Sequence, residues 1–118
     1  MKTLFILNHQ PYDGSDVTWN ALRLATALHK KNETVKIFLM SDAVDLARDT
    51  TKKPDFYDHD LVEMLKKLYH EGVELKVCGT CMARCGINKN QPYFSDEVKG
   101  TMDILAEWVL QSDKVLTF

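Results

Sequence analysis

Three cysteines, Cys78, Cys81 and Cys85, fall within eight residues in the stretch Val77-Cys78-Gly79-Thr80-Cys81-Met82-Ala83-Arg84-Cys85-Gly86-Ile87. The thiolate is the reactive form of cysteine, and it is favoured by nearby positive charge and by the unpaired N–H groups at a helix start. Val73 to Val77 reads as a strand, which puts Cys78 at its carboxyl end, where ligand and reaction sites of open α/β sheets collect. Gly79 lets the backbone turn close beside a substrate, Cys81 falls where the turn enters a helix, and Arg84 adds positive charge. The pattern points to thiol chemistry with Cys78, Cys81 and Cys85 as reacting groups and Gly79 and Arg84 as substrate contacts.

Other uses of the same residues stay open. An isolated cysteine is most often a small buried residue, although three beside two glycines and an arginine are harder to dismiss. The spacing C-x2-C-x3-C offers three soft metal ligands, with His9 or His59 as a fourth; structural zinc sites usually bring two ligand pairs, and no second pair exists here. Cys78-Gly79-Thr80-Cys81 is a C-x-x-C, but it follows a third strand rather than a first βα unit. His9 follows the first strand at the same sheet edge and could orient or deprotonate a thiol or contact a substrate. The plain alternative is an exposed loop histidine.

The elements that hold these residues alternate along the chain. Apolar runs at Lys2 to Asn8, Thr34 to Met40, Val73 to Val77 and Val115 to Phe118 read as strands, with a further short strand within Phe94 to Gly100. Between them, Val17, Ala21, Leu24, Ala25 and Leu28 form the inner face of a helix capped by Ser15 or Asp16 and running to about Lys31. Leu61, Leu65 and Leu68 mark a second helix with Gly72 as its C-terminal stop. Thr101 caps a third, whose inner face is Met102, Leu105, Ala106 and Val109. Ser41-Asp42 starts a short helix over Ala43 to Arg48, and Asp49 to Asp60 reads as a surface loop. Gly14-Ser15-Asp16 lacks the glycines of a phosphate loop, and Asp16 opposes an anion, so it reads as a cap. Aspartates 42, 45, 49, 55, 58 and 60 lack Ca²⁺-loop spacing and read as a solvated face. Strands separated by helices of this length pair in parallel through right-handed crossovers, giving a three-layer α/β fold.

At 118 residues the chain is one domain, residues 1–118, large enough to bury a core. Hydrophobic residues at 45% and charged residues at 27% are the mixture of a folded globular protein. Fifteen Lys and Arg against seventeen Asp and Glu give a net charge of −2, which argues against a nucleic-acid binder. The longest apolar runs, Leu4 to Leu7 and Ile37 to Met40, are too short to span a membrane. The apolar start stops too early for a signal peptide, and an odd, clustered cysteine count fits a reducing compartment, so a cytoplasmic location is expected. Trp19, Leu22, Ile104 and Trp108 lie outside the inner stripes of their helices and predict an interface.

The order of four segments carries a resemblance: Leu4-Phe5-Ile6-Leu7-Asn8; Trp19 to Ala25 after Gly14-Ser15-Asp16; Gly72-Val73-Glu74-Leu75-Lys76-Val77-Cys78; and Met102 to Trp108 with Asp113-Lys114-Val115-Leu116. The chain resembles the DsrE/DsrF-like sulfur-relay family (YchN-like, TusD-like). The resemblance implies an α/β/α fold with a five-stranded parallel sheet, and assembly as a homo-oligomer, a trimer or hexamer. It also implies a sulfurtransferase-like carrier that takes sulfur as a cysteine persulfide from a protein donor and passes it to a protein acceptor, with no cofactor. Cys78 matches the sulfur-carrying position, or Cys81 if the turn aligns differently. Relay members often rely on one such cysteine; three open a disulfide-resolved transfer with Cys85 or Cys81, or a metal. The rival function is a non-catalytic oligomeric module whose cysteines bind a metal or cluster.

Overall fold

Five segments rich in β-branched and large apolar residues assemble into one parallel sheet, ordered β4-β3-β2-β1-β5. They are β1 (Lys2–Leu7), β2 (Thr34–Leu39), β3 (Glu74–Cys78), β4 (Lys99–Gly100) and β5 (Lys114–Thr117). The computed structural model describes residues 1–48, 51–80 and 93–118. β1 and β2 are interior strands, and both are almost continuously apolar, as strands covered on two faces must be. Their register runs from Lys2 opposite Thr34 to Leu7 opposite Leu39.

Helix α1 (Val17–Lys30) connects β1 to β2, and α2 (Leu61–His70) leads into β3. Helix α3 (Met102–Gln111) carries the chain from β4 back across the sheet to β5. Because crossovers are right-handed, that reversal of direction puts α3 on the face opposite α1 and α2. Trp108 of α3 meets Phe38 of β2 edge-on at 6.0 Å, and Lys36 lies 5.0 Å over the same indole. Lys36 and Phe38 therefore face α3, while Val35, Ile37 and Leu39 face α1 and α2.

Turn chemistry sets the boundaries. The Asp60 side chain accepts from Glu63 N–H at the start of α2, and Thr101 does the same for Ile104 N–H in α3. Gly72 leaves α2 at φ +104°, a left-handed conformation that favours glycine. Ser41–Ala47 is a 3-10 helix, and the stretch expected to hold a strand before α3 is mostly a second one, Asp96–Val98, ahead of the two-residue β4.

Two helix faces differ from their expected ones. On α1 the buried residues are Thr18, Ala21, Leu22 and Ala25, while Leu24 is 40% exposed. On α3, Leu105 and Trp108 are buried, but Met102, Ala106 and Val109 are exposed. A helix with apolar residues on two stripes gives no unique inner face from spacing alone, and here aromatic packing on Phe38 selects the Trp108 stripe. No helix among the described residues is long and apolar enough to cross a membrane.

Candidate functional site

Cys78 is the last residue of β3. It pairs across the ladder with Gly100 and is 4% exposed. Strand alternation sets it on the face of Lys76, toward the α3 side, whereas Leu75 and Val77 face α1 and α2. Residues 79 and 80 turn directly into helical conformation. Gly79 is partly exposed, and a Cβ there would meet only the Gly100 carbonyl oxygen at 3.8 Å, an ordinary contact. Space does not demand glycine at 79. It does at 100, where a Cβ would come within 2.9 Å of Lys76 Cβ and 3.2 Å of Phe38 Cε2. Gly100 thus lets β4 close against Cys78, a role that spacing had not revealed.

His9 ends at the same edge but is not beside Cys78. β2 lies between their strands, a separation of about 10 Å at ordinary strand spacing. The imidazole is exposed, and its charge acts on Asp13 instead. Cys81, Arg84 and Cys85 lie outside the described residues, as does Asp49. Among the described residues no three His, Cys, Asp or Glu side chains gather to hold a metal ion. Sequence reasoning also passed over Arg48. It is 2% exposed, ion-paired with Asp45 at 3.3 Å, and forms an antiparallel bridge with Tyr93 that is extended by Phe94 N–H donating to Ala47 O at 2.8 Å.

A second feature opens at the same sheet edge, over the starts of α1 and α2. It is a cleft of about 340 Å³ lined by Gly14, Asp16 and Trp19 on one side and by Phe56 to His59 with Leu61 on the other. Tyr12 and Tyr57 meet edge-on at 4.8 Å. The Tyr57 hydroxyl accepts from Gly14 N–H, and the Tyr12 hydroxyl accepts from Leu61 N–H at 3.0 Å. Lys53 Nζ donates to Tyr57 O at 2.7 Å. His59 stacks on Trp19 at 4.5 Å, and the Arg23 guanidinium lies 4.5 Å from the same indole. Gly14 sits at φ +88°, where a side chain would be strained.

Electrostatics follow from these contacts. Burial pushes the Tyr12 phenol up, against the opposing pull of the Leu61 N–H that donates to its oxygen. The Ser15 hydroxyl and then its N–H hold the Asp13 carboxyl below its ordinary range. Asp16 stands at the start of α1 but makes no side-chain capping bond there. The acidic loop read as a solvated surface therefore builds half of a cleft. The signal available in the sequence was Phe56-Tyr57, two adjacent aromatics amid aspartates.

The DsrE/DsrF-like family model matches residues 1–118. Protein YchN of Escherichia coli K12 is 39% identical over 119 residues, spanning 99% of this chain and 98% of its own length. The protein MK0008 of Methanopyrus kandleri is 33% identical, over 96% of this chain and 90% of its own. The crystal structure of the E. coli ychN protein superposes with a TM-score of 0.85 at 40% identity, covering 100% of this chain and 99% of that one.

Proposed function

The chain belongs to the DsrE/DsrF-like family, and from that premise we propose that it is a sulfur carrier in which Cys78 accepts sulfur as a persulfide. Membership supports a sulfur-relay-related role at the level of the family. The observation that supports the finer reading is the position of Cys78, closing the carboxyl end of β3 directly before a helical turn and paired with Gly100 of β4.

The chemistry is a sulfane transfer without net redox change. The Cys78 thiolate attacks the outer sulfur of a donor protein's persulfide; that S–S bond breaks, the donor leaves as a thiolate, and Cys78 becomes the persulfide. An acceptor protein's thiolate then takes the outer sulfur in the same way. In a resolved version, the thiolate of Cys81 or Cys85 attacks the inner Cys78 sulfur, forming a disulfide and expelling hydrosulfide. The 4% exposure of Cys78 favours a second reading, in which Cys81 or Cys85 meets the donor first and Cys78 holds sulfur away from water. Gly79, Arg84 and His9 belong to this proposal as substrate contacts, with His9 set apart by one strand. A reducing, cytoplasmic setting keeps the thiols available.

Homo-oligomerisation belongs to the same proposal. Leu22 and Trp108 are buried in the monomer, so the supporting surface is a different one: Met102, Val109 and Leu110 on α3, with Leu110 86% exposed, and Val115 on the edge strand β5. An apolar stripe beside an open strand edge favours a second copy, and a ring is the closed solution, the trimer or hexamer of the resemblance.

Polysulfide loading followed by mass spectrometry tests the carrier. The wild type should gain one sulfur, and Cys78→Ser should gain none. Loading of that variant at Cys81 or Cys85 selects the second reading. Stoichiometric metal in fresh protein, with no loading, selects a metal-binding module. Light scattering should return a multiple of the chain mass, lowered by Leu110→Glu; a monomer mass for the wild type would remove the interface.

A further inference from the structure

We propose that the cleft over the starts of α1 and α2 binds an organic cation, a primary ammonium or guanidinium group on a flexible aliphatic stem. Three observations select that class. The first is the wall. Phe56 is 77% exposed, and Tyr57 and Trp19 are partly so, which leaves aromatic surface facing a space of about 340 Å³. That volume suits one small ligand or one inserted side chain. Aromatic faces attract cations through their quadrupole. The Trp19 indole is already taken by the Arg23 guanidinium and by stacked His59, each at 4.5 Å, so the surface left for a ligand is that of Phe56 and Tyr57.

The second is the charge. Asp16 and Asp58 both line the cleft, and among the described residues neither carboxylate makes a side-chain hydrogen bond or ion pair. Asp16 is notable because a carboxylate at a helix start ordinarily accepts from the first-turn N–H groups. Here it does not, although Asp60 at the start of α2 does. A helix start by itself attracts anions, and Lys53 and Arg23 stand close to Tyr57 and Trp19, so the negative charge a cation would need comes from these two carboxylates. Asp13, held ionised by Ser15, adds to the negative rim.

The third is preorganisation. Gly14, Tyr12, Tyr57 and Leu61 are tied together by two hydrogen bonds and an edge-on ring contact, so the floor exists before a ligand arrives. The ammonium would sit between the carboxylates, and its stem along the Phe56 and Tyr57 rings. The inference stands apart from sulfur chemistry, because the cleft lies on the α1/α2 face and Cys78 on the other.

Isothermal titration with agmatine and with Nα-acetyl-lysine methylamide tests it, using the norleucine counterpart as a neutral control. Saturable binding of either cation with none of the control is expected, weakening as salt is raised. Agmatine alone would mark the site for free amines, the capped lysine alone for a side chain of a protein. Asp58→Asn and Phe56→Ala should each weaken binding about tenfold, and Cys78→Ser should leave it unchanged. Phe56 is largely in solvent, so its removal leaves the core intact. The proposal is overturned if neither cation binds, if the norleucine control binds equally, or if binding survives both cleft variants.

Discussion

The end of β3 and the cleft over α1 and α2 share one edge of one sheet, yet they are built on opposite physical terms. At Cys78 the chain is packed tightly: a small buried side chain, a glycine opposite it, and no room for a methyl group at that glycine. In the cleft, exposed aromatic rings and carboxylates that have no side-chain partner among the described residues surround open space. The difference teaches how one edge of a parallel sheet can hold two unlike environments, which would separate two tasks if both proposals hold. Strand alternation sends Cys78 to the α3 face, while the helix starts that frame the cleft stand on the other. A reactive sulfur gains from exclusion of water, and a charged ligand needs access from it. If this division is right, a change on one side should leave the other unaffected.

The largest expected effect comes from overpacking the strand pair that holds the cysteine. Gly100→Ala places a methyl 2.9 Å from Lys76 Cβ and against the Phe38 ring, so the backbone of β4 must shift. Overpacking of this kind costs about 1–3 kcal/mol. Urea unfolding should show that loss, alkylation of Cys78 should accelerate, and cation binding in the cleft should not change. A variant as stable as the wild type would show that the strand pair at Cys78 is looser than its contacts imply.

The two regions also differ in how far residue pattern alone reveals them. The strands, their parallel pairing and the position of Cys78 at a strand end were legible, because alternating apolar runs and helices leave few ways to pair. Gly100 was not, because its requirement comes from Phe38 and Lys76, distant in sequence and adjacent only once the register is set. The cleft was not either, since it joins Tyr12 to Leu61 and Gly14 to Tyr57 across more than forty residues. The inner face of α3 misled for a different reason. Met102, Ala106 and Val109 are spaced as well as Leu105 and Trp108, and only the position of Phe38 decides between them. Cys81, Arg84 and Cys85 were singled out by spacing and lie outside the described residues.

A smaller effect probes the cleft side. Tyr12→Phe removes the oxygen that accepts Leu61 N–H at 3.0 Å, leaving a donor at a buried helix start without its partner. The cost should be about 1 kcal/mol. Tyr12 also gives this variant a pH signature. Its phenol is pushed up mainly by burial, so above the ordinary tyrosine value of about 10 the unfolded chain loses a proton that the folded one retains. Stability falls as pH rises through that value, and Tyr12→Phe should flatten that part of the fall. Cys78 alkylation at neutral pH should match the wild type; a marked change would mean that the two sides of the sheet are coupled.

The smallest effect tests the rim that shapes the cleft. Asp13 Oδ1 accepts from Ser15 N–H at 2.9 Å and from Ser15 Oγ at 2.7 Å, a local turn that holds Gly14 in its left-handed conformation. These bonds favour the ionised carboxylate and lower its pKa in the folded state. A carboxyl depressed on folding contributes stability above its unfolded value of about 3.9, and that contribution is lost as pH falls through the folded value. Asp13 is exposed, so solvent screening limits the contribution to about 0.5 kcal/mol or less. Asp13→Asn keeps an acceptor oxygen but not the charge. Its urea midpoint should therefore lie slightly below that of the wild type at pH 6, and the gap should close as the pH falls below about 4. A gap that stays constant into acid would assign the loss to altered turn geometry rather than to charge.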